Sequence, residues 1–185
     1  MAVMNNAYNN YSEARILPKK IVDYLFNNVP GLWKLLYYDV DPDSKKDLTN
    51  TQKAKMICKS SAGDTSKFNI LFQHYNNEAL TDATTQIRIE IMKIDSLNRT
   101  DAEVRVLFQV IVNNKLMVVN TNVSNVDNRA MAITQTLVEA LNGTRLDGTK
   151  TPLNIDYSND RLTGVTSVYF NTEFSGYEII MSCIV

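Results

Sequence analysis

The residues of this chain that could take part in chemistry are one histidine, two cysteines and scattered carboxylates. His74 is the only histidine among the 185 residues, so a multi-histidine metal site is excluded and any Ser/His or Cys/His dyad depends on it. It lies in a predicted strand, where a structural histidine is favoured over a catalytic one. Cys58 and Cys183 belong to neither a CxxC motif nor a Cys/His cluster, and we interpret them as buried thiols in a reducing compartment.

One acidic turn has the spacing of the first ligands of a calcium-binding loop. Asp39, Asp41 and Asp43 occupy positions 1, 3 and 5 of such a loop. However, Ser44 stands where the loop needs glycine, and Asn50 stands where it needs a bidentate glutamate. The pattern therefore indicates an acidic turn without a metal.

The remaining candidates for catalysis are pairs of carboxylates. Glu90 with Asp95, and Asp101 with Glu103, lie on predicted strand surfaces or turns, where solvated or interface charges are favoured over a general acid and base. Neither GxGxxG nor GxxxxGK[ST] occurs, so no phosphate-binding loop is predicted. We expect no enzymatic activity and no cofactor.

The charge balance argues against a protein that grips nucleic acid over its whole surface. Nineteen Lys and Arg stand against 20 Asp and Glu, so no overall basic field would hold a phosphate backbone. A DNA-binding accessory factor stays open as an alternative, because lysines recur in the N-terminal third. They are Lys19, Lys20, Lys34, Lys45, Lys46, Lys53 and Lys55.

The elements that would position these residues are most evident between Thr85 and Gly143. TQIRIEIMKI and AEVRVLFQVIV each place apolar residues at every second position, as strands with one buried side do. The capped sequence NRAMAITQTLVEALNG predicts an amphipathic helix with Asp127 or Asn128 as N-cap and Gly143 after its C-terminus. GVTSVYFN and GYEIIMSCIV predict a closing hairpin, and KFNILFQHY predicts a strand from about Phe68 to His74.

Three helical pieces are predicted before the sheet. The first helix is indicated by Pro18, which suits the first turn of a helix. The second helix runs from about Leu32 to Tyr38. The third is indicated by Thr49 and Gln52, which resemble a capping box. The fold class is therefore α+β: a single domain, mainly antiparallel sheet packed by one long amphipathic helix, with N-terminal helices. We expect a flexible N-terminal arm over 1–14 and one domain over 15–185, with its helical part at 15–60 and the sheet and helix at 66–185.

Two stretches lack clear periodicity, 113–127 and 142–163. Such long loops usually carry function or hide an unassigned element. Leu116 to Val119 either continue a strand or belong to a loop that neighbouring subunits order. The chain has neither a recognisable signal peptide nor 18 consecutive apolar residues, so we expect assembly in a cytoplasm.

The order of several segments resembles a known family. IVDYLFNNVPGLWKLLYYDVDPDSKKDLTNTQKAKMIC contains, in order, an I-x-x-Y-L helix, an LWKLL-like helix and a DLT-x-x-x-K cap. FNILFQHYNNEALTDATTQIRIEIMKI, VRVLFQVIVNN, a helix ending VEALNG, and VYFN follow. This series, from about Arg15 to Asn171, is similar to neck and tail-terminator-like proteins of contractile-tailed bacteriophages.

The resemblance implies a virion structural protein that forms a ring, expected to be a hexamer, at the neck or tail. Its expected partners are copies of itself, tail tube and sheath proteins, and head-completion or adaptor proteins, with DNA only as passing cargo and no membrane. A head-completion adaptor or baseplate protein is the structural alternative. Six residues are candidates for subunit contacts: Arg88, Glu90, Arg105, Gln109, Trp33 and Tyr37.

Overall fold

Four α-helices and eight β-strands occur in the described residues of this computed structural model, which are 11–59, 67–74, 84–156 and 164–185. The helices are α1 (Tyr11–Asn28), α2 (Pro30–Tyr37), α3 (Asn50–Lys55) and α4 (Arg129–Leu141). The strands are β1 (Ile70–Leu71), β2 (Thr85–Ser96), β3 (Ala102–Asn113), β4 (Val118–Val119), β5 (Asp127–Asn128), β6 (Asn154–Ile155), β7 (Val165–Tyr169) and β8 (Phe174–Ile184).

One mostly antiparallel sheet organises the molecule. Its strand order is β1-β2-β3-β8-β6, and β7 pairs with β8 on the same side as β6. Only β1 runs parallel to its neighbour, β2, while β4 and β5 form a separate antiparallel pair. The predicted α+β class is confirmed.

The two long alternating segments form the centre of this sheet, as predicted. Ile87 and Ile89 of β2 lie on the same face as Val104, Val106 and Phe108 of β3, and all five are fully buried. Apolar residues of α1, α2 and α4 belong to the same core, so the helices cover this face. A bulge interrupts the β2–β3 register between Ile91 and Lys93.

The predicted helix ends are confirmed by their hydrogen bonds. Thr49 and Gln52 form a complete capping box at α3. Of the two candidates at α4, Asn128 is the N-cap, and its side chain accepts a hydrogen bond from the Met131 N–H at 2.9 Å. Gly143 follows the C-cap with φ of 81°, a backbone conformation that glycine adopts without steric cost.

The start of the first helix differs from the prediction. Helix α1 begins at Tyr11, so residues 11–14 belong to the helix and not to the predicted arm, and Pro18 lies inside it. Ala14 and Leu17 are fully buried, and their burial outweighs the cost of a proline within the helix. Residues 1–10 lie outside the described residues.

One predicted strand is shorter than expected, and one of the two alternatives for Leu116 to Val119 is excluded. The segment predicted as a strand from Phe68 to His74 contributes only β1, Ile70–Leu71, parallel to β2. Leu116 to Val119 do not continue β3, because a short 3-10 turn at Asn114–Leu116 separates β3 from β4. The apolar pattern indicated extended backbone here, but pairing partners distant in sequence decided how much of it became strand.

Candidate functional site

The sheet face opposite the helices carries a row of polar side chains across three strands. Arg88, Gln109 and Glu178 are neighbours in register on β2, β3 and β8. The amide of Gln109 donates to the Glu178 carboxylate at 2.8 Å. The Arg88 guanidinium donates to the Gln86 side chain at 3.0 Å and to the His74 carbonyl at 2.9 Å. Hydrogen bonds within the chain thus hold the row in place.

The single histidine lies at the edge of this row. His74 Nδ1 lies 2.8 Å from a carboxylate oxygen of Glu90, and its imidazole is largely exposed. No described serine or cysteine side chain hydrogen bonds to His74, so the described residues show no dyad. The His74–Glu90 pair ties the segment after β1 to β2.

Arg105 lies further along the same face. Its Nε is 3.1 Å from a carboxylate oxygen of Asp156, which follows β6, and Asp156 is buried. Arg105 is also within 3.9 Å of Glu103. This ion pair connects the centre of the sheet to its β6 edge.

The six predicted contact residues differ in how much of each side chain is buried within the chain. Trp33, Arg88 and Gln109 are buried within the chain, and the Trp33 indole donates to the Leu25 carbonyl at 3.0 Å. These three are therefore unsuited to be a surface that a rigid neighbour touches. The sequence did not show this burial, because period-two alternation shows which residues share a face and not what covers that face. Glu90 and Arg105 are half-buried and Tyr37 is exposed.

Arg129 is a structural residue that the sequence did not single out. It is 1% exposed, and its guanidinium donates to four main-chain carbonyls, those of Leu35, Tyr38, Asp39 and Leu116. Burial lowers the pKa of Arg129 from its usual value, and Asp39 opposes that shift. Three of these bonds fasten α4 to the end of α2, and the bond to Leu116 fastens it to the 3-10 turn after β3.

The residues that resembled a calcium loop have other contacts. The Asp43 carboxylate accepts a hydrogen bond from the Asn122 N–H at 2.8 Å, and Asp41 adopts a left-handed backbone with φ of 47°. Within the described ranges, no three His, Cys, Asp or Glu residues are grouped so that they could hold a metal ion.

The thiol of Cys183 is buried in the sheet. Burial, with a smaller effect of Glu103, raises its pKa to about 12, so this thiol is not a nucleophile near neutral pH.

The lysines of the N-terminal third do not form one continuous basic surface. Lys19 pairs with Asp23, Lys20 with Glu13 and Lys34 with Asp47. Lys53 is buried, where it donates to the Phe26 carbonyl at 2.9 Å and lies over the Phe26 and Trp33 rings. The exposed lysines of this set that form no ion pair among the described residues are Lys45, Lys46 and Lys55.

Two different edges of the sheet have stretches that pair with no described strand, and both carry exposed apolar side chains. On β2, strand β1 pairs only with Ile87 and Arg88, so no described strand pairs with the outer edge of 89–95. Met92, in that stretch, is 43% exposed. On the other side, no described strand pairs with the outer edge of β7, where Val165 is 42% and Tyr169 is 88% exposed. Unpaired edges of this kind invite another strand.

A groove runs beside the open edge of β2, between that strand and α1. It has a volume of about 690 Å³, and its apolar lining includes Val22, Ile57, Phe72, Ile89 and Ile91. Arg15, Lys19, Lys59, Asp23 and Glu90 form its polar rim. A smaller apolar depression with Tyr11, Arg15, Ile91 and Ile94 extends it along β2. We refer to the two together as the α1–β2 groove.

Three further observations bear on what the protein is. No described helix is both long and apolar enough to cross a membrane. No curated protein matches the chain. A protein-family model named YomW matches residues 30–183, which extend from the start of α2 to the penultimate residue of β8. That name is phage-derived and indicates a phage-encoded protein. This chain belongs to the YomW family.

Proposed function

We propose that this chain is a non-enzymatic structural protein of a bacteriophage virion. It forms a ring, expected to be a hexamer, at the head–tail junction, where it terminates the tail tube and sheath and joins them to the neck. Copies of itself, tail tube and sheath proteins, and head-completion proteins are its partners, and DNA passes through the ring as cargo.

One structural observation carries this proposal: the sheet ends in two different edges, on β2 beyond Arg88 and on β7, that pair with no strand in the described part of the chain. Two unlike surfaces on one subunit make a heterologous interface, which closes into a ring when the rotation between subunits permits. The YomW family match and the neck-like order of segments from Arg15 to Asn171 support the phage setting. The near-neutral charge suits a ring that lets DNA pass without holding it.

The location in the particle can be tested directly with a tagged chain. Val123 is 85% exposed in the segment between β4 and β5, so a short peptide inserted after it should leave the fold intact. Antibody labelling of purified virions should then mark the head–tail junction. Label at the far tip of the tail would instead favour a baseplate protein, and absence of the chain from virions would refute the virion role.

The DNA-binding alternative makes a separate prediction about salt. A protein that binds DNA through contacts with its phosphates binds more weakly as the salt concentration rises. Our proposal expects no salt-dependent binding of duplex DNA by the full chain. If the full chain does bind DNA, and the triple variant Lys45→Met, Lys46→Met, Lys55→Met does not, the result would favour the accessory factor.

A further inference from the structure

We propose that Asn142 is a deamidation site that the folded chain keeps unreactive, and that it reacts once the segment after α4 separates from the rest of the fold. Asn142 and Gly143 form the one Asn-Gly pair of the sequence. The reaction consumes water and needs neither an enzyme nor a cofactor. The inference is independent of the ring in the proposed function.

The chemistry is a ring closure followed by hydrolysis. The main-chain nitrogen of Gly143 attacks the side-chain carbonyl carbon, Cγ, of Asn142 and forms a new C–N bond. The bond from Cγ to the amide nitrogen breaks, and ammonia leaves with the proton of the Gly143 N–H. Water then opens the succinimide at either carbonyl and gives aspartate or isoaspartate. Because glycine has no Cβ, its nitrogen attacks with little hindrance when the chain is unfolded.

The end of α4 explains why this reactive pair is present. Gly143 has φ of 81°, which glycine adopts without steric cost. Asn142 is the C-cap of α4, and its N–H donates to the Val138 carbonyl at 2.9 Å. The Asn142 side-chain oxygen accepts a hydrogen bond from the Ile155 N–H in β6 at 3.0 Å. Both members of the pair therefore have structural roles.

The backbone angle of Asn142 is the first protection against the reaction. Its ψ is 122°. A five-membered ring closes only when the Gly143 nitrogen eclipses the Asn142 Cβ about the Cα–C bond, and at this ψ the nitrogen is rotated well away from Cβ. The reacting atoms are therefore not in a near-attack geometry.

Two hydrogen bonds hold this unreactive geometry in place. The Gly143 N–H, which carries the nucleophile, donates to the Leu153 carbonyl at 2.7 Å. The Ile155 N–H holds the Asn142 Oδ1. A hydrogen bond to Oδ1 polarises the side-chain carbonyl, but the nitrogen does not reach Cγ while both bonds are present. Ring closure thus requires both bonds to break.

The segment that supplies these partners is anchored in the fold. Leu153 is fully buried, and its N–H donates to the Thr144 carbonyl at 2.9 Å. Strand β6 follows directly and pairs with β8. Asn142 and Gly143 are themselves exposed, so geometry and not burial protects them. The reaction rate of the folded chain should therefore follow the fraction of chains in which residues 144–155 are open.

The reaction to isoaspartate should be one-way for this part of the fold. Isoaspartate adds one methylene to the main chain between positions 142 and 143, so the bridge from Gly143 to Leu153 does not re-form with its native geometry. Aspartate leaves the main chain unchanged, and its carboxylate accepts the Ile155 N–H. Chains enriched in isoaspartate should melt at a lower temperature than Asn142→Asp, and equal melting would contradict this part of the proposal.

The main test compares deamidation of the full chain when it is folded and when guanidinium chloride unfolds it, at one mildly alkaline pH. Mass spectrometry of the peptide that contains Asn142 separates asparagine, aspartate and isoaspartate. We expect the folded chain to react about 100-fold more slowly, the loss that a misplaced reacting group produces. Asn154, which precedes the bulky Ile155, is the internal control and should stay unmodified. Equal rates in both states, or no reaction in denaturant, would overturn the proposal.

Hydrogen exchange in the wild-type chain identifies the opening that limits the reaction. The Gly143 N–H must leave the Leu153 carbonyl both to exchange and to attack. Small additions of denaturant should therefore speed exchange of this N–H and deamidation of Asn142 in parallel. If folding slows deamidation less than it slows exchange of the Gly143 N–H, the bridge does not control the reaction and the proposal fails.

A matched pair of variants tests the contact to the side chain. Ile155→Pro removes the N–H that holds Asn142, whereas Ile155→Val keeps it. Among folded proteins, Ile155→Pro should deamidate about 10-fold faster than the wild type, the factor that corresponds to about one hydrogen bond, and Ile155→Val should match the wild type. Equal rates in the two variants would refute the protective contact. A thermal melt checks folding, and if Ile155→Pro does not fold, the exchange comparison in the wild type decides.

Discussion

The guanidinium of Arg129 donates a hydrogen bond of 2.6 Å to the main-chain carbonyl of Leu35, 94 residues earlier in the chain. Leu35 lies in the last turn of α2, and Arg129 is the first residue of α4. The carbonyls at the end of a helix lack partners within the helix, and a buried cation there stabilises them. One side chain thus joins the N-terminal helical segment to the helix that packs on the sheet.

Replacing this cation should be costly. Arg129→Met leaves the carbonyls of Leu35, Tyr38, Asp39 and Leu116 without their donor, and we expect a loss of about 3 kcal/mol in the free energy of unfolding. Urea denaturation measures the change. Arg99→Met, at an exposed position, is the control and should shift stability by less than about 0.5 kcal/mol. Equal effects of both variants would contradict the role given to Arg129.

The contact between Lys150 and Asp101 should stabilise the fold near neutral pH and lose this contribution in acid. The Lys150 ammonium, helped by Thr100 and Asn98, lowers the pKa of Asp101 to about 2. Because this pKa is lower in the folded chain than in the unfolded one, the contribution is present above the unfolded pKa and is lost as pH falls towards 2. Carboxyl NMR titration should show the pKa of Asp101 rise in Lys150→Met and stay unchanged in Lys55→Met.

The thiol of Cys183 should resist alkylation. Burial raises its pKa to about 12, so almost none of it is thiolate at pH 8, and thiolate is the reactive form. In a Cys58→Ser background, iodoacetamide should modify Cys183 only after denaturant unfolds the chain. Modification of the folded protein at the rate of the unfolded one would show that this end of β8 opens readily.

The closest approach of β3 to β8 should depend on Gly176. A Cβ added at Gly176 would overlap the carbonyl of Val110 on the neighbouring strand, so Gly176→Ala should destabilise the fold by about 2 kcal/mol or more. Gly31 in α2 offers a matched control, since an added Cβ there meets no atom within 4 Å. Gly31→Ala should be neutral or stabilise by about 0.5 kcal/mol. Thermal or urea unfolding distinguishes the two.

Much of the fold could be predicted from local sequence. Some features depend only on residues a few positions apart, and these occur in the structure where the sequence predicted them. They are the alternation in β2 and β3, the capping box at Thr49, and the ends of α4 at Asn128 and Gly143. The start of α1 at Tyr11 was missed because Pro18 looked like a first-turn residue. The burial of Ala14 and Leu17, which extends that helix, depends on strands more than 60 residues away.

The faces and edges of the sheet show the same division. The sequence by itself determined that Arg88, Glu90, Arg105 and Gln109 share the face opposite the apolar one, because side chains alternate along a strand. Only the tertiary structure decided that Arg88 and Gln109 are buried and that Arg129 fastens two distant helices. It also decided that, among the described strands, β7 and most of β2 lie at edges of the sheet, since strand pairing depends on contacts between distant segments that no local pattern records.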